Sequence, residues 1–275
     1  MWRRVMGVVV MGVALAAQQP GAAKCSQCAQ WNGAQKPFRV YGNTWYVGPQ
    51  WLSSILITSP EGDVLIDGDL AESAAAIAGH IRELGFRPAD VKLILNSHVH
   101  YDHAGGIAAL QKLTGARVAA SPWSAAVLSS GQPGRDDPQF GILPPIAPVP
   151  AVEEIHDGET LRVGDVAITA HFTPGHTPGG TSWTWRSCEG ARCLNLVYAD
   201  SLTAAAAPGY KYSEHPELLA GFERSFAWLR QVRCDILLTP HLGPHPQRNP
   251  EACHALADKD ELQLRQRLAG EGKPK

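Results

Sequence analysis

The segment VKLILNSHVHYDHAGG, Val91 to Gly106, constrains this chain more than any other. It begins as an apolar run, the mark of a strand buried on both faces, and ends in polar residues. GGIAALQKLTGA then reads as a helix closed by glycine, and ARVAAS as a further strand. Strand, loop, helix and strand make a βαβ unit, so the chain belongs to the α/β class. The loop leaves the carboxyl end of the first strand, where α/β sheets bind ligands. Within six positions it carries His98, His100, Asp102 and His103. Packing does not call for three imidazoles and a carboxylate side by side; metal ligation does.

Alternation divides the cluster. His98 and His100 flank Val99, and in extended backbone residues two apart face the same way. Asp102 and His103 come where the chain turns toward the helix, so they address a neighbouring position. Ala104, Gly105 and Gly106 give the backbone room to bend. Further ligands are expected at other strand ends. HFTPGHTPGG offers His176 in a rigid turn, and LLTPHLGPH offers His241. The sum is His98, His100 and His176 for one metal, and Asp102, His103 and His241 for a second. His245, beyond Gly243 and Pro244, ranks behind His241, and His171 is a weak alternative to His176. Nitrogen-rich ligation with some oxygen and no sulfur suits zinc, while ligand type alone leaves iron and manganese open.

The rest of the chain fits this frame. FRVYGNTWYVG reads as two strands around Gly42 and Asn43, and SSILITSPEGDVLIDGD as a hairpin whose second strand ends at Asp67. AESAAAIAGHIRELGF and PELLAGFERSFAWLRQ read as helices, as does the tail from Pro250 to Leu268. Strands are expected near Val152, Leu161, VAITAHFT, TSWTW, LNLVYAD and CDILLTPH. Residues 129–150, rich in Gly, Pro and Asp, read as a long loop at a functional rim. With Trp45, Trp51 and Trp123, that loop is a candidate wall for the cleft.

The chain opens with two arginines and an apolar run from Val5 to Ala17, followed by small residues. The run is shorter than the ~20 residues of a membrane span, so residues 1–23 read as a secretory leader and 24–275 as one domain. Cleavage after Ala16, Ala17 or Ala23 fits equally. Export to the periplasm favours disulfides. The order of the six cysteines favours local pairs, Cys25 with Cys28, Cys188 with Cys193 and Cys234 with Cys253, among many formal pairings. A bridge closing so short a loop as Cys25–Cys28 is strained, which leaves free thiols there as an alternative. The formal net charge is −2 and no long basic run occurs. Nucleic acid and, once the leader is removed, membrane are therefore poor partners, and a small-molecule substrate fits better.

SHVHYDHAGG, TPGHTPGG and LLTPH together resemble the metallo-β-lactamase superfamily over nearly the whole chain after the leader. The resemblance implies an αβ/βα four-layer sandwich, two central mixed β-sheets flanked by helices, with two zinc ions in an edge cleft. GNTWYVG, YADSLTAAAAPGY and the Cys234, Cys253 pair are similar to subclass B3, as is a ligand set with histidine in place of asparagine or cysteine. Ser201 stands where other subclasses carry a cysteine ligand. B3 membership implies the same division of the six ligands. It implies a monomeric zinc-dependent β-lactamase that opens penicillins, cephalosporins and carbapenems with a metal-bridging hydroxide and confers antibiotic resistance. In that reading Asp102 also orients the hydroxide, and Ser201 and Thr203 hold the substrate carboxylate. Thr203 equally reads as satisfying backbone groups past a strand end. Asp67 supports the metal site by orienting a ligand, with a turn-capping carboxylate as the alternative. Asp200 bridges the metals in some relatives and is not a ligand in B3 enzymes. A thioester or lactone hydrolase of the same fold is the competing function, and a non-enzymatic zinc-binding protein a third.

Overall fold

A computed structural model describes residues 25–241 and 246–271. The expected leader at 1–23 and His245 lie outside the described residues.

Among the described residues, twelve strands form two sheets. The first holds β1 (Phe38–Tyr41), β2 (Thr44–Tyr46), β3 (Ile55–Ile57), β4 (Asp63–Ile66), β5 (Val91–Leu95), β6 (Arg117–Ala120) and β7 (Val152–Glu154), in that spatial order. Its first four strands pair antiparallel and β4 to β7 pair parallel. The second holds β8 (Thr160–Val163), β9 (Val166–Phe172), β10 (Thr181–Glu189), β11 (Arg192–Tyr198) and β12 (Ile236–Leu238), antiparallel except for β11 with β12. The helices are α1 (Cys28–Trp31), α2 (Ser73–Glu83), α3 (Tyr101–Ala104), α4 (Ile107–Thr114), α5 (Pro122–Ser130), α6 (Pro216–Gln231) and α7 (Ala252–Glu271).

Side-chain alternation builds the layers. Ile55, Ile57, Val64, Ile66, Leu93 and Leu95 pack between the sheets against Trp183, Trp185, Tyr198 and Leu238. The intervening Leu56, Leu65 and Ile94 face outward and are covered by Ile77 and Ile81 of α2, Leu110 of α4 and Leu128 of α5. Val197 and Leu237 do the same on the second sheet, under Phe222, Phe226 and Leu229 of α6 and Ala257 and Leu264 of α7. A strand buried on both faces needs apolar residues at every position, which explains the continuous runs Leu93–Leu95 and Ile236–Leu238. The result is the expected four-layer sandwich with two mixed sheets.

The 129–150 stretch is preceded by a helix absent from the expectations above. α5 has Ser121 as its cap, accepting from the Ser124 amide, Pro122 in its first turn, and Gly131 at φ 69° as its stop. The cysteines pair locally, Cys25–Cys28, Cys188–Cys193 across β10 and β11, and Cys234–Cys253. Among the described residues, no helix is long and apolar enough to cross a membrane.

Gly106 has a different purpose from the bend expected of it. The segment after β4 lies directly against the start of α4. Gly68 N–H donates to the His103 carbonyl at 2.9 Å, and Gly106 N–H to the Asp69 carbonyl at 3.1 Å. A Cβ on Gly106 would stand 2.2 Å from the Gly68 oxygen, so only glycine permits the approach. These bonds fix His103 against the first sheet. Gly106→Ala is expected to destabilise the fold by about 2–3 kcal/mol, as overpacking against a backbone atom does. Denaturant unfolding of the metal-free protein measures this; an unchanged midpoint would contradict it.

Candidate metal centre

The site lies along one edge of the sandwich, where strands of both sheets end. His98 and His100 follow β5, His176 follows β9, Asp200 follows β11 and His241 follows β12. Asp102 and His103 lie in α3, whose turn redirects them from the extended His98 and His100. The structure brings His98, His100 and His176 into one group and Asp102, His103 and His241 into another, with the potential ligand atoms of each group within 4.8 Å of one another. Five of the six residues are buried, and His241 is half-exposed.

Each imidazole of the first group has one nitrogen engaged away from the centre. His98 Nδ1 donates to Asp200 Oδ1 at 2.7 Å. His100 Nε2 donates to Asp137 Oδ2 at 3.1 Å. His176 Nδ1 donates to the Thr203 carbonyl at 2.8 Å. The inward atoms are then His98 Nε2, His100 Nδ1 and His176 Nε2. His98 Nε2 is buried without a hydrogen-bond partner among the described residues. The Gln139 amide nitrogen faces the other two, 3.4 Å from His100 Nδ1 and 3.5 Å from His176 Nε2. In the second group, Asp102 Oδ2 is 3.4 Å from His103 Nε2 and 3.3 Å from His241 Nε2, and those two nitrogens are 3.0 Å apart. Imidazoles with outer nitrogens fixed and inner nitrogens converging suit a metal in the first group, and a carboxylate oxygen converging with two imidazole nitrogens suits one in the second.

The charge states of the two groups differ. Burial, reinforced by the neighbouring imidazoles, holds His98 and His176 well below the usual histidine value. Burial also opposes charge on His103, but the adjacent Asp102 carboxylate overrides it and pushes His103 up to about 9. Burial works against ionised Asp102 too, yet His103 and His241 hold it well below the usual carboxylate range.

Other expected residues take definite places. Asp67, fully buried at φ 61°, accepts from the Ser97 amide at 2.7 Å, Ser97 Oγ at 2.6 Å, Asn96 Nδ2 at 3.2 Å and Tyr198 OH at 2.8 Å. These bonds hold the two residues preceding His98, so Asp67 braces the ligand loop instead of bonding a ligand ring. Burial pushes it up to about 6. Ser201 and Thr203 line the cavity over the two groups, about 350 Å3 in volume. The Thr203 hydroxyl also lies 3.2 Å from His176 Nδ1. Asp200 stands behind His98; its Oδ2 has no hydrogen-bond partner among the described residues and would be 2.6 Å from a Cβ on Gly180. Burial pushes Asp200 up to about 7.

The cavity wall departs from expectation. Trp45, Trp51 and Trp123 do not line it; Trp123 bonds Asp136 and Trp45 packs on Phe86. Trp31 lines it instead, its ring 5.5 Å from that of His241. The 129–150 loop contributes Gln139 and Leu143 to the wall and Asp137 behind His100. Nothing in RDDPQF separates Asp137 from its neighbour Asp136 before the chain is folded. His171 is turned away, bonded to Thr184 and stacked near Trp228.

A family model described as the metallo-beta-lactamase superfamily matches residues 52–187. N-acyl homoserine lactonase AttM of Agrobacterium fabrum is 31% identical over 181 residues, 56% of this chain and 68% of that one. Among solved structures, Rm3 metallo-beta-lactamase superposes with a TM-score of 0.86 at 48% identity, covering 92% of this chain and 100% of that one. MEM-A1, a subclass B3 metallo-beta-lactamase isolated from a soil metagenome library, gives 0.84 at 47% identity, covering 88% and 98%.

The charge difference between the groups is measurable. His103 is protonated below about 9 and must lose that proton to ligate, whereas His98 and His176 are already neutral near pH 7. Metal uptake by the second group is therefore expected to release about one proton, its affinity falling about tenfold per unit as pH drops below 9. His98 and His176 should add no such dependence above about pH 7. Zinc calorimetry in buffers of different ionisation enthalpy reads both; equal proton release by the two groups would contradict the assignment.

Proposed function

The chain is a hydrolase of the metallo-β-lactamase superfamily, and from that premise we propose that it opens the amide bond of β-lactams with two zinc ions, one in each ligand group. Such ions supply a water of lowered pKa and positive charge for a polarised carbonyl oxygen. His98, His100 and His176 hold the first and Asp102, His103 and His241 the second. Asp102, kept ionised by its two histidines, accepts a hydrogen bond from the attacking water and so fixes its direction. Ser201 and Thr203 present hydroxyls from the cavity wall to the substrate carboxylate. Penicillins, cephalosporins and carbapenems all carry that carboxylate beside the reactive amide, and their hydrolysis would confer resistance.

The observation that carries this reading over its rivals is the hydrogen bond from His98 Nδ1 to Asp200 Oδ1. It engages Asp200 behind the first group and so supports the B3 expectation, that this aspartate is not a ligand, over a bridge between the groups. The high identity to Rm3 and MEM-A1 across nearly their full lengths supports the same choice. The AttM relative, similar over a smaller part of this chain, supports lactone hydrolysis as the second reading. The apolar leader and three disulfides favour an exported, periplasmic protein.

Purified protein assayed on benzylpenicillin, nitrocefin, a carbapenem, an acyl homoserine lactone and a glutathione thioester decides between the readings. The β-lactams are expected to exceed the lactone and thioester by about 100-fold or more in kcat/KM, a gap a site shaped for its own substrate sustains. Activity should vanish with EDTA and return with zinc. Rapid lactone or thioester turnover with inert β-lactams would overturn the proposal.

A further inference from the structure

One carboxylate of the cavity is not used by either ligand group. The inward face of α7 runs Cys253, Ala257, Asp260 and Leu264, the spacing of an apolar seam. Asp260 occupies a seam position and is 2% exposed. Its Oδ1 has no hydrogen-bond partner among the described residues. The nearest cation, Lys259 Nζ, stands 3.8 Å from it, beyond hydrogen-bond length, on a side chain that is 63% exposed. An unsatisfied buried acceptor in a helix seam weakens the fold, and an apolar residue would fit the position better. Asp260 also lines the cavity that holds Ser201, Thr203 and His241. A carboxylate retained against stability at the wall of a substrate cavity calls for a partner on the substrate.

We propose that Asp260 forms a subsite for a cationic substituent of the β-lactam, an ammonium or comparable group carried on an arm of the bicyclic nucleus. The inference rests on the β-lactamase reading. An entering cation takes the open lone pair of Asp260, while the flexible Lys259 side chain moves into solvent. The subsite governs preference among β-lactams and takes no part in the bond-breaking step.

Two substrate pairs test it, each differing in one charged substituent. Ampicillin differs from benzylpenicillin by an ammonium on the acylamino arm; cephaloridine differs from cephalothin by a pyridinium on the other arm. For zinc-loaded Asp260→Asn, the cationic-to-neutral ratio of kcat/KM is expected to fall at least about fivefold in one pair or both, mainly through KM. Asp260→Leu should lower the same ratio and keep or raise the melting temperature. Unchanged ratios in both pairs would overturn the subsite. A lowered melting temperature in Asp260→Leu with unchanged ratios would assign the residue to structure alone. If the zinc-loaded wild type hydrolyses none of the four compounds, the β-lactamase reading fails and the subsite with it.

Discussion

An imidazole ligates through one nitrogen, and a hydrogen-bond partner on its other nitrogen is needed to fix which one. Much of this structure can be understood from how that requirement is met in the first group. His98, His100 and His176 lean on Asp200, Asp137 and the Thr203 carbonyl. Those acceptors come from the end of β11, the segment after it, and the long loop after α5. The orientation of three rings thus depends on both sheets and on a loop with no regular structure. Fixing the outer protons leaves three lone pairs converging, which costs free energy until a cation is bound.

The second requirement is mechanical. Asp67 receives hydrogen bonds from Asn96 and Ser97 in the first sheet's ligand loop and from Tyr198 in the second sheet. One buried carboxylate therefore ties the two sheets together immediately before His98. On the other side, the backbone pairing of Gly68 with His103 and of Asp69 with Gly106 locks α3 in place. The ligand loop is clamped at both ends, and only its ligand-bearing middle faces the cavity. The charge contrast between the groups arises from the same burial: it holds His98 and His176 well below the usual histidine value, while Asp102 overrides it at His103, which keeps its proton.

Most strands and helices and all six candidate ligands were legible in the sequence because each left a periodic or positional mark, while the four-layer arrangement came with the family resemblance. Apolar runs ending in His, Asp or Asn marked strands that deliver a site, and alternation about Val99 separated His98 and His100 from Asp102 and His103. The acceptors behind the rings left no such mark. Asp137 is one of two adjacent aspartates in a loop, and only folding brings it to His100. Trp31 was lost for a similar reason: a short helix folds it onto His241, whereas three other tryptophans, equally plausible by composition, point elsewhere. Asp67 was recognised as a supporting residue, but its partners are the loop residues and Tyr198, a contact between sheets that no local pattern encodes. Helix α5 was legible in principle through Ser121, Pro122 and Gly131, and the Gly- and Pro-rich stretch after it obscured it.

The central claim is that the outer hydrogen bonds select which nitrogen of each first-group ring binds metal and keep Asp200 out of the ligand set. Anomalous diffraction at the zinc edge from zinc-loaded crystals tests it directly. The account predicts two peaks, one within about 2.0–2.1 Å of His98 Nε2, His100 Nδ1 and His176 Nε2, the other at similar distances from Asp102, His103 Nε2 and His241 Nε2. A single peak, a zinc bound through the opposite nitrogen of His98, His100 or His176, or an Asp200 oxygen within bonding distance of either ion would contradict it.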